Sequence, residues 1–173
     1  MVENRTKRAN TRKILLNKDH FATPWDLFYK IEDDLGIKFV FDVCASKKNH
    51  KCKNYFTAQQ NALKKDWSKE GFNFWNAPHS KNKYFVKKAY DQYLNRGVKS
   101  VGLIPLNVLS SEYAFKYIHG IAEIKFLKGR PKFLNPTNQK ISKFPSRNGY
   151  ILIIYGKVSK STSLNISPYN HFQ

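Results

Sequence analysis

The sequence predicts an α/β sandwich with a mostly parallel sheet and helices on both faces. Three observations carry this reading. Apolar runs of strand length, rich in β-branched and aromatic residues, recur along the chain. Amphipathic segments of helix length separate most of them, the pattern of strand–helix–strand units. Two of the runs end in polar residues, Asp42 and Asn76, and in such sheets ligands sit beyond the carboxyl ends of the strands.

The elements follow in order. "TPWDLFYKIEDDLG" has a Thr23 N-cap, Pro24 at the first helical position, and Trp25, Phe28, Ile31 and Leu35 on one apolar face; Gly36 stops the helix. "IKFVFDVCA" is a strand whose apolar run ends at Asp42, and "GFNFWNAP" is a second strand ending at Asn76. "NKYFVKKAYDQYLNRG" is an amphipathic helix closed by Gly97. "VKSVGLIPLN" is a third strand, followed by the helix-like "SSEYAFKYIHG"; "AEIKFLKG" and "YILIIYGK" are further strands. Between those last two lies "RPKFLNPTNQKISKFPSRNG", which has no helical period and reads as a loop. The aromatics Trp25, Phe28, Phe74 and Trp75 are assigned to the core.

The chain of 173 residues is the size of one domain, and 41% hydrophobic with 15% aromatic residues excludes general disorder. Lysine and arginine number 31 against 12 acidic residues, a formal charge of +19. Such an excess steers association with polyanions, which makes nucleic acid the favoured partner class. Residues 1–18 carry Arg5, Lys7, Arg8, Arg12, Lys13 and Lys18 against Glu3 alone, a basic flexible arm. Residues 159–173 are Ser/Asn-rich and read as a loose tail, which leaves one domain over 19–158. The polar "MVENRTKRAN" start and the lack of a long apolar run predict a soluble, cytoplasmic chain with no membrane partner. Cys44 and Cys52 make no disulfide framework. With His50 between them they still fall short of the four ligands that zinc takes, so no metal is expected. Glycine-rich dinucleotide fingerprints, a P-loop, a nucleophile elbow and a paired-His motif are all absent.

Asp42 offers hydrogen-bond acceptors to a ribose or an ammonium group, or caps the next turn; Asp66 in "LKKDW" is similarly open. The turn Asn76-Ala77-Pro78-His79 has sharper chemistry. An exocyclic base amine is a poor nucleophile because its lone pair is delocalised into the ring. Two acceptors on its hydrogens favour the pyramidal, nucleophilic form. The Asn76 side-chain oxygen supplies one, the Ala77 carbonyl the other, Pro78 stiffens the turn, and His79 offers a flat face for a flipped-out base.

The order "DHFATPWDLF", "FDVCASKKNHKCKNYFTAQQNALKKDW", "FNFWNAPHSKNKYFVKKAY", "IKFLKGRPKF" and "KFPSRNGYILIIY" resembles the phage-type DNA N6-adenine methyltransferases, the Dam-like family of phages and prophages. The resemblance covers residues 19–157. It implies a Rossmann-like S-adenosylmethionine-dependent methyltransferase fold for 19–158, acting on double-stranded DNA with the target base flipped, with no obligatory protein partner. It implies S-adenosylmethionine as cofactor, with His20, Ala22, Thr23 and Pro24 at its methionine end. Asp42, Cys44 and Ala45 then lie at the end of the first strand, Asp66 near the adenosine, and Asn76 at the reacting end. Asn76, Ala77, Pro78 and His79 take the catalytic block, with Ser80 and Lys81 following toward DNA.

The Lys128–Phe133 block then opens a basic target-contacting loop, 129–148, in which Lys128, Arg130, Lys132, Lys140, Lys143 and Arg147 contact phosphates. Lys125 is grouped with these cations, and Asn135, Asn138 and Gln139 are placed to read base edges. The sequence departs from the family block at two letters. Ala77 replaces a proline but keeps the carbonyl. His79 replaces an aromatic ring with a smaller one that titrates near neutral pH, which implies a slower or pH-sensitive enzyme. The same amine chemistry serves cytosine N4 or an RNA base, and the two departures also fit an inactive DNA- or cofactor-binding relative.

Overall fold

A computed structural model describes residues 19, 21–135 and 138–159. The basic arm, His20 and the tail from residue 160 lie outside the described residues. Six strands form one sheet: β1 (Phe39–Ala45), β2 (Asn54–Thr57), β3 (Phe72–Trp75), β4 (Lys99–Pro105), β5 (Glu123–Phe126) and β6 (Tyr150–Tyr155), in the order β2-β1-β3-β4-β6-β5. Three helices accompany them: α1 (Trp25–Leu35), α2 (Asn82–Arg96) and α3 (Glu112–Tyr117).

The α/β class is as expected, but the sheet is mixed. The β1–β2, β1–β3 and β3–β4 pairings are parallel, whereas β6 is antiparallel to both β4 and β5. The reason lies in the connections. A parallel return needs a crossover of a dozen or more residues, usually a helix. The segment between β5 and β6 has no helix among its described residues, so β6 turns back and inserts between β4 and β5.

The sheet is covered on both faces. On one, Leu27, Phe28, Ile31 and Leu35 of α1 pack against Phe39, Phe74, Val101, Leu103, Leu152 and Ile154. The Phe28 ring sits 5.2 Å from those of Phe39 and Phe74. On the other, Phe85, Val86 and Ala89 of α2, Ala114 of α3 and Ile118 just after it cover Val43, Trp75, Ile104, Ile151 and Ile153. Each fully buried Val, Leu, Ile or Phe among them contributes about 1.5–3 kcal/mol. α1 and α2 end as the glycines require: Gly36 and Gly97 adopt left-handed φ of 62° and 67°, and their amides return to carbonyls of the last turn.

Four local expectations change. Thr23 makes no capping bond; Pro24 occupies the N-cap, and the threonine hydroxyl is engaged elsewhere. Trp25 is 45% exposed rather than core, stacked on Tyr29 with ring centroids 5.4 Å apart. β1 continues three residues past Asp42, with its register against β2 shifting between Asp42 and Ala45. β2 goes unforeseen because "NYFT" is short and carries no alternation of burial.

Candidate active site

Where β1 and β3 deliver their carboxyl ends, a cleft opens. It is lined by Phe21, Ala22, Thr23, Asp42, Cys44, Asn49, Lys51, Phe74 and Asn76. Asp42 and Phe74 are register partners on adjacent strands, so the pleat brings one carboxylate and one ring to the same edge. Asn76 follows β3 directly, and Thr23 meets it through a side-chain hydrogen bond.

Asp42 is 4% exposed. Its Oδ1 accepts from the Cys44 amide at 3.2 Å and its Oδ2 from the Lys51 amide at 2.9 Å. Burial pushes the carboxyl from 3.8 up to about 6, while the two amide bonds and the positive charge of Lys51 oppose the rise. At neutral pH it is therefore mainly an acceptor-only carboxylate. Burial likewise pushes the Cys44 thiol up, so it sits in the cleft as a neutral group.

Asn76 is oriented by a contact 53 positions away in sequence. Its Nδ2 donates to Thr23 Oγ1 at 3.0 Å. With the amide nitrogen engaged, Oδ1 is directed away from Thr23, and it accepts no bond among the described residues. Ala77 is 4% exposed, and its carbonyl takes no hydrogen bond among the described residues. Pro78 leads into a short 3-10 turn, His79–Lys81, whose end runs into α2. The turn thus presents two unclaimed carbonyl-type oxygens in consecutive residues.

The imidazole of His79 is tethered: Nε2 lies 2.7 Å from Tyr150 Oη, where β6 begins. Burial pushes the Tyr150 phenol above its usual range, so at neutral pH it keeps its proton for this bond. The Tyr150 ring packs on Phe133 at 4.9 Å, which joins the turn to the base of the basic loop. That loop is also sewn to the cleft wall. Ala22 and Leu134 exchange both backbone bonds, at 3.2 and 2.8 Å. Asp19 accepts from the Ser80 hydroxyl at 2.6 Å and from its amide at 3.2 Å.

Of the site residues expected from sequence, Ala22, Thr23, Asp42, Cys44 and Asn76 meet in the cleft. Pro24 and Ala45 are buried beside it without lining it. Asp66 stands apart: it is exposed and pairs with Arg96 at 3.1 Å, at the end of α2 that leads back to the start of β4, on the opposite edge of the sheet. Lys128, Arg130, Lys140, Lys143 and Arg147 are exposed, Lys132 is half-buried, and Ser80 and Lys81 are exposed on the turn. Lys125 is removed from the phosphate-contacting group: it is 5% exposed on β5 and pairs with Glu123 at 3.0 Å. Asn49, Lys51, Phe21 and Phe74 line the cleft without having been singled out as site residues. The signal for the first two was their position in the turn after β1.

No group of three or more His, Cys, Asp or Glu gathers among the described residues. His50 stacks flat on Tyr55 at 4.3 Å, and Cys52 donates to the Phe39 carbonyl. No helix among them is long and apolar enough to cross a membrane.

Comparison with known proteins gives phage and bacterial relatives. A DNA N-6-adenine-methyltransferase of Haemophilus phage HP1 is 42% identical over 86 residues, 49% of this chain and 47% of that protein. One of Escherichia phage T1 is 33% identical over 88 residues, 51% of this chain and 36% of that protein. The putative methyltransferase YfdM of Escherichia coli K12 is 37% identical over 84 residues, 46% of this chain and 89% of that protein. The chain spans less than half the length of the two phage relatives it matches. The family model described as DNA N-6-adenine-methyltransferase (Dam) matches residues 9–171, nearly the whole sequence, and the chain therefore belongs to that family.

Proposed function

We propose that this protein transfers a methyl group from S-adenosylmethionine to the N6 amine of an adenine flipped out of double-stranded DNA. The observation that carries this reading is the Asn76 amide, held by Thr23 at 3.0 Å with its oxygen directed away, on the rim of a cleft whose floor is Asp42. A target amine in front of the turn loses conjugation when Asn76 Oδ1 takes one hydrogen and the Ala77 carbonyl the other. The lone pair is then localised for attack, a differential stabilisation of the reacting state. Pro78 limits the motion of the two acceptors, and the tethered His79 ring offers its face to the base while its edge stays on Tyr150.

The cleft fits the cofactor in its donor set. A buried carboxylate suits ligand hydroxyl or ammonium donors, and Ala22, Thr23, Phe74 and Cys44 supply small and apolar walls. The cofactor supplies an electrophilic methyl on a sulfonium whose charge disappears on transfer, so the chain itself needs no covalent nucleophile. The mixed sheet with covered faces accords with a Rossmann-like methyltransferase fold over 19–158. The exposed cations of 129–148 would grip phosphates, since the loop is fastened to the cleft wall through Leu134 and Ala22.

The test is transfer of a labelled methyl group into duplex DNA between pH 6 and 9, by the chain and by Asn76→Ala. Incorporation by the first and its loss in the second is expected. Cofactor binding without incorporation at any pH would leave a non-catalytic relative.

A further inference from the structure

Lys51 is a buried cation with no ion pair among the described residues; the carboxylate of Asp42 acts on it through space rather than in direct contact. The residue is 8% exposed, and it lines the cleft. Its Nζ donates to the Asn49 carbonyl at 2.9 Å and lies 4.5 Å above the Trp25 ring. These are neutral partners that account for one N–H and one face. Among the described residues no carboxylate lies within ion-pair distance of it; both oxygens of Asp42 are taken by backbone amides, one of them Lys51's own. Buried charges are ordinarily paired, because removing an ion from water is expensive. An ammonium held at a cleft wall by a carbonyl and a ring, with donors left over, is arranged for an anion that arrives with a ligand.

The chemistry of the ligand selects which anion. S-Adenosylmethionine carries two cationic centres, the sulfonium and the α-ammonium, and one anionic centre, the α-carboxylate. The cleft carries the opposite assortment: one carboxylate at Asp42 and one ammonium at Lys51. Only the α-carboxylate can rest against Lys51 without like-charge repulsion. We infer that Lys51 is the anchor for the α-carboxylate of the cofactor, and that with Asp42 it sets the direction in which the cofactor lies in the cleft. This rests on the cofactor reading given above. Asn49, which lines the same cleft and accepts from the Ser46 amide through Oδ1, holds its Nδ2 available as a second donor.

The experiment is calorimetric and independent of turnover. S-Adenosylmethionine, S-adenosylhomocysteine and decarboxylated S-adenosylmethionine, which lacks only the carboxylate, are titrated into the wild-type chain and into Lys51→Met. A charge-assisted hydrogen bond to a carboxylate corresponds to about 10- to 100-fold in affinity. Lys51→Met should weaken the first two ligands by about that factor and leave the decarboxylated one within about 3-fold. In the wild type the decarboxylated ligand should bind about 10- to 100-fold more weakly than its parent. Equal losses for all three ligands in Lys51→Met, or equal wild-type affinities for parent and decarboxylated ligand, would overturn the assignment. The wild-type comparison decides the matter even if the variant does not fold. Failure of the wild type to bind any of the three would instead remove the cofactor reading itself, and the anchor with it.

Discussion

Asp42 makes the stability of this protein depend on pH in a predictable direction. The group ionises at about 6 in the fold, against 3.8 for a free aspartate, because burial opposes the charge. The native state therefore holds this proton more tightly than the unfolded chain. The favourable contribution is complete below about pH 3.8 and is lost as pH rises through about 6. The difference corresponds to about 3 kcal/mol. Asp42→Asn preserves the size and removes the titration. It also turns an amide nitrogen toward one of the two backbone N–H groups that the carboxylate accepts, from Cys44 or Lys51. Losing that acceptor costs about 1–3 kcal/mol at every pH. The variant should thus be less stable than wild type at pH 4, and the difference should move by about 2 kcal/mol in the variant's favour between pH 4 and 7. Urea unfolding of both proteins across that range measures it, because other titrating groups cancel in the difference. Parallel stability curves would refute the reasoning. A wild type that gains on the variant as pH rises would show a carboxyl stabilised by its two amides rather than strained by burial. In wild type, cofactor affinity should fall as pH drops below about 6, as the acceptor is protonated.

Three further outcomes are expected. Thr23→Val removes the bond that orients Asn76 and leaves the amide free to flip; single-turnover methyl transfer should slow by about 5- to 100-fold, corresponding to about 1–3 kcal/mol, with cofactor affinity changed far less. Gly102→Ala places a methyl 2.2 Å from the fully buried Trp75 ring, next to Asn76. Overpacking of that kind costs about 1–3 kcal/mol or more, so the melting temperature should fall by about 3–10 °C in a thermal scan. Neutralising Lys128, Arg130 and Lys132 together should weaken DNA binding for all sequences and lower the slope of log affinity against log salt by up to about 3; an unchanged slope would exclude phosphate contacts there.

Local pattern was a good guide wherever the residues of an element carry their own reason. Gly36 and Gly97 stop helices because only their backbone takes the left-handed turn cheaply, and that is visible in sequence. The turn after β3 was visible for the same reason, since an apolar run meets Asn76 and Pro78. The features that were hidden depend on distant partners. Thr23 reads as a cap because its neighbours are helical; its hydroxyl instead accepts from Asn76 across the sheet edge. Lys125 reads as one more cation of a basic stretch, yet the strand register buries it against Glu123. Lys51 disappears into a net charge of +19 until the turn after β1 places it against the cleft. Asp66 stands out in sequence through a suggestive dipeptide, whereas in the fold it is exposed and pairs with Arg96. The direction of β6 is not carried by its apolar run; the clue was the return between β5 and β6, which reads as a loop in sequence and has no helix among its described residues.

The central claim is that the Asn76 turn acts on the N6 amine of adenine. Duplex DNA treated with the wild-type chain and S-adenosylmethionine, then digested to nucleosides and resolved by mass spectrometry, tests it most directly. N6-methyladenine is expected as the methylated nucleoside, and none from Asn76→Ala. N4-methylcytosine in its place, or N6-methyladenine formed equally well by Asn76→Ala, would contradict it.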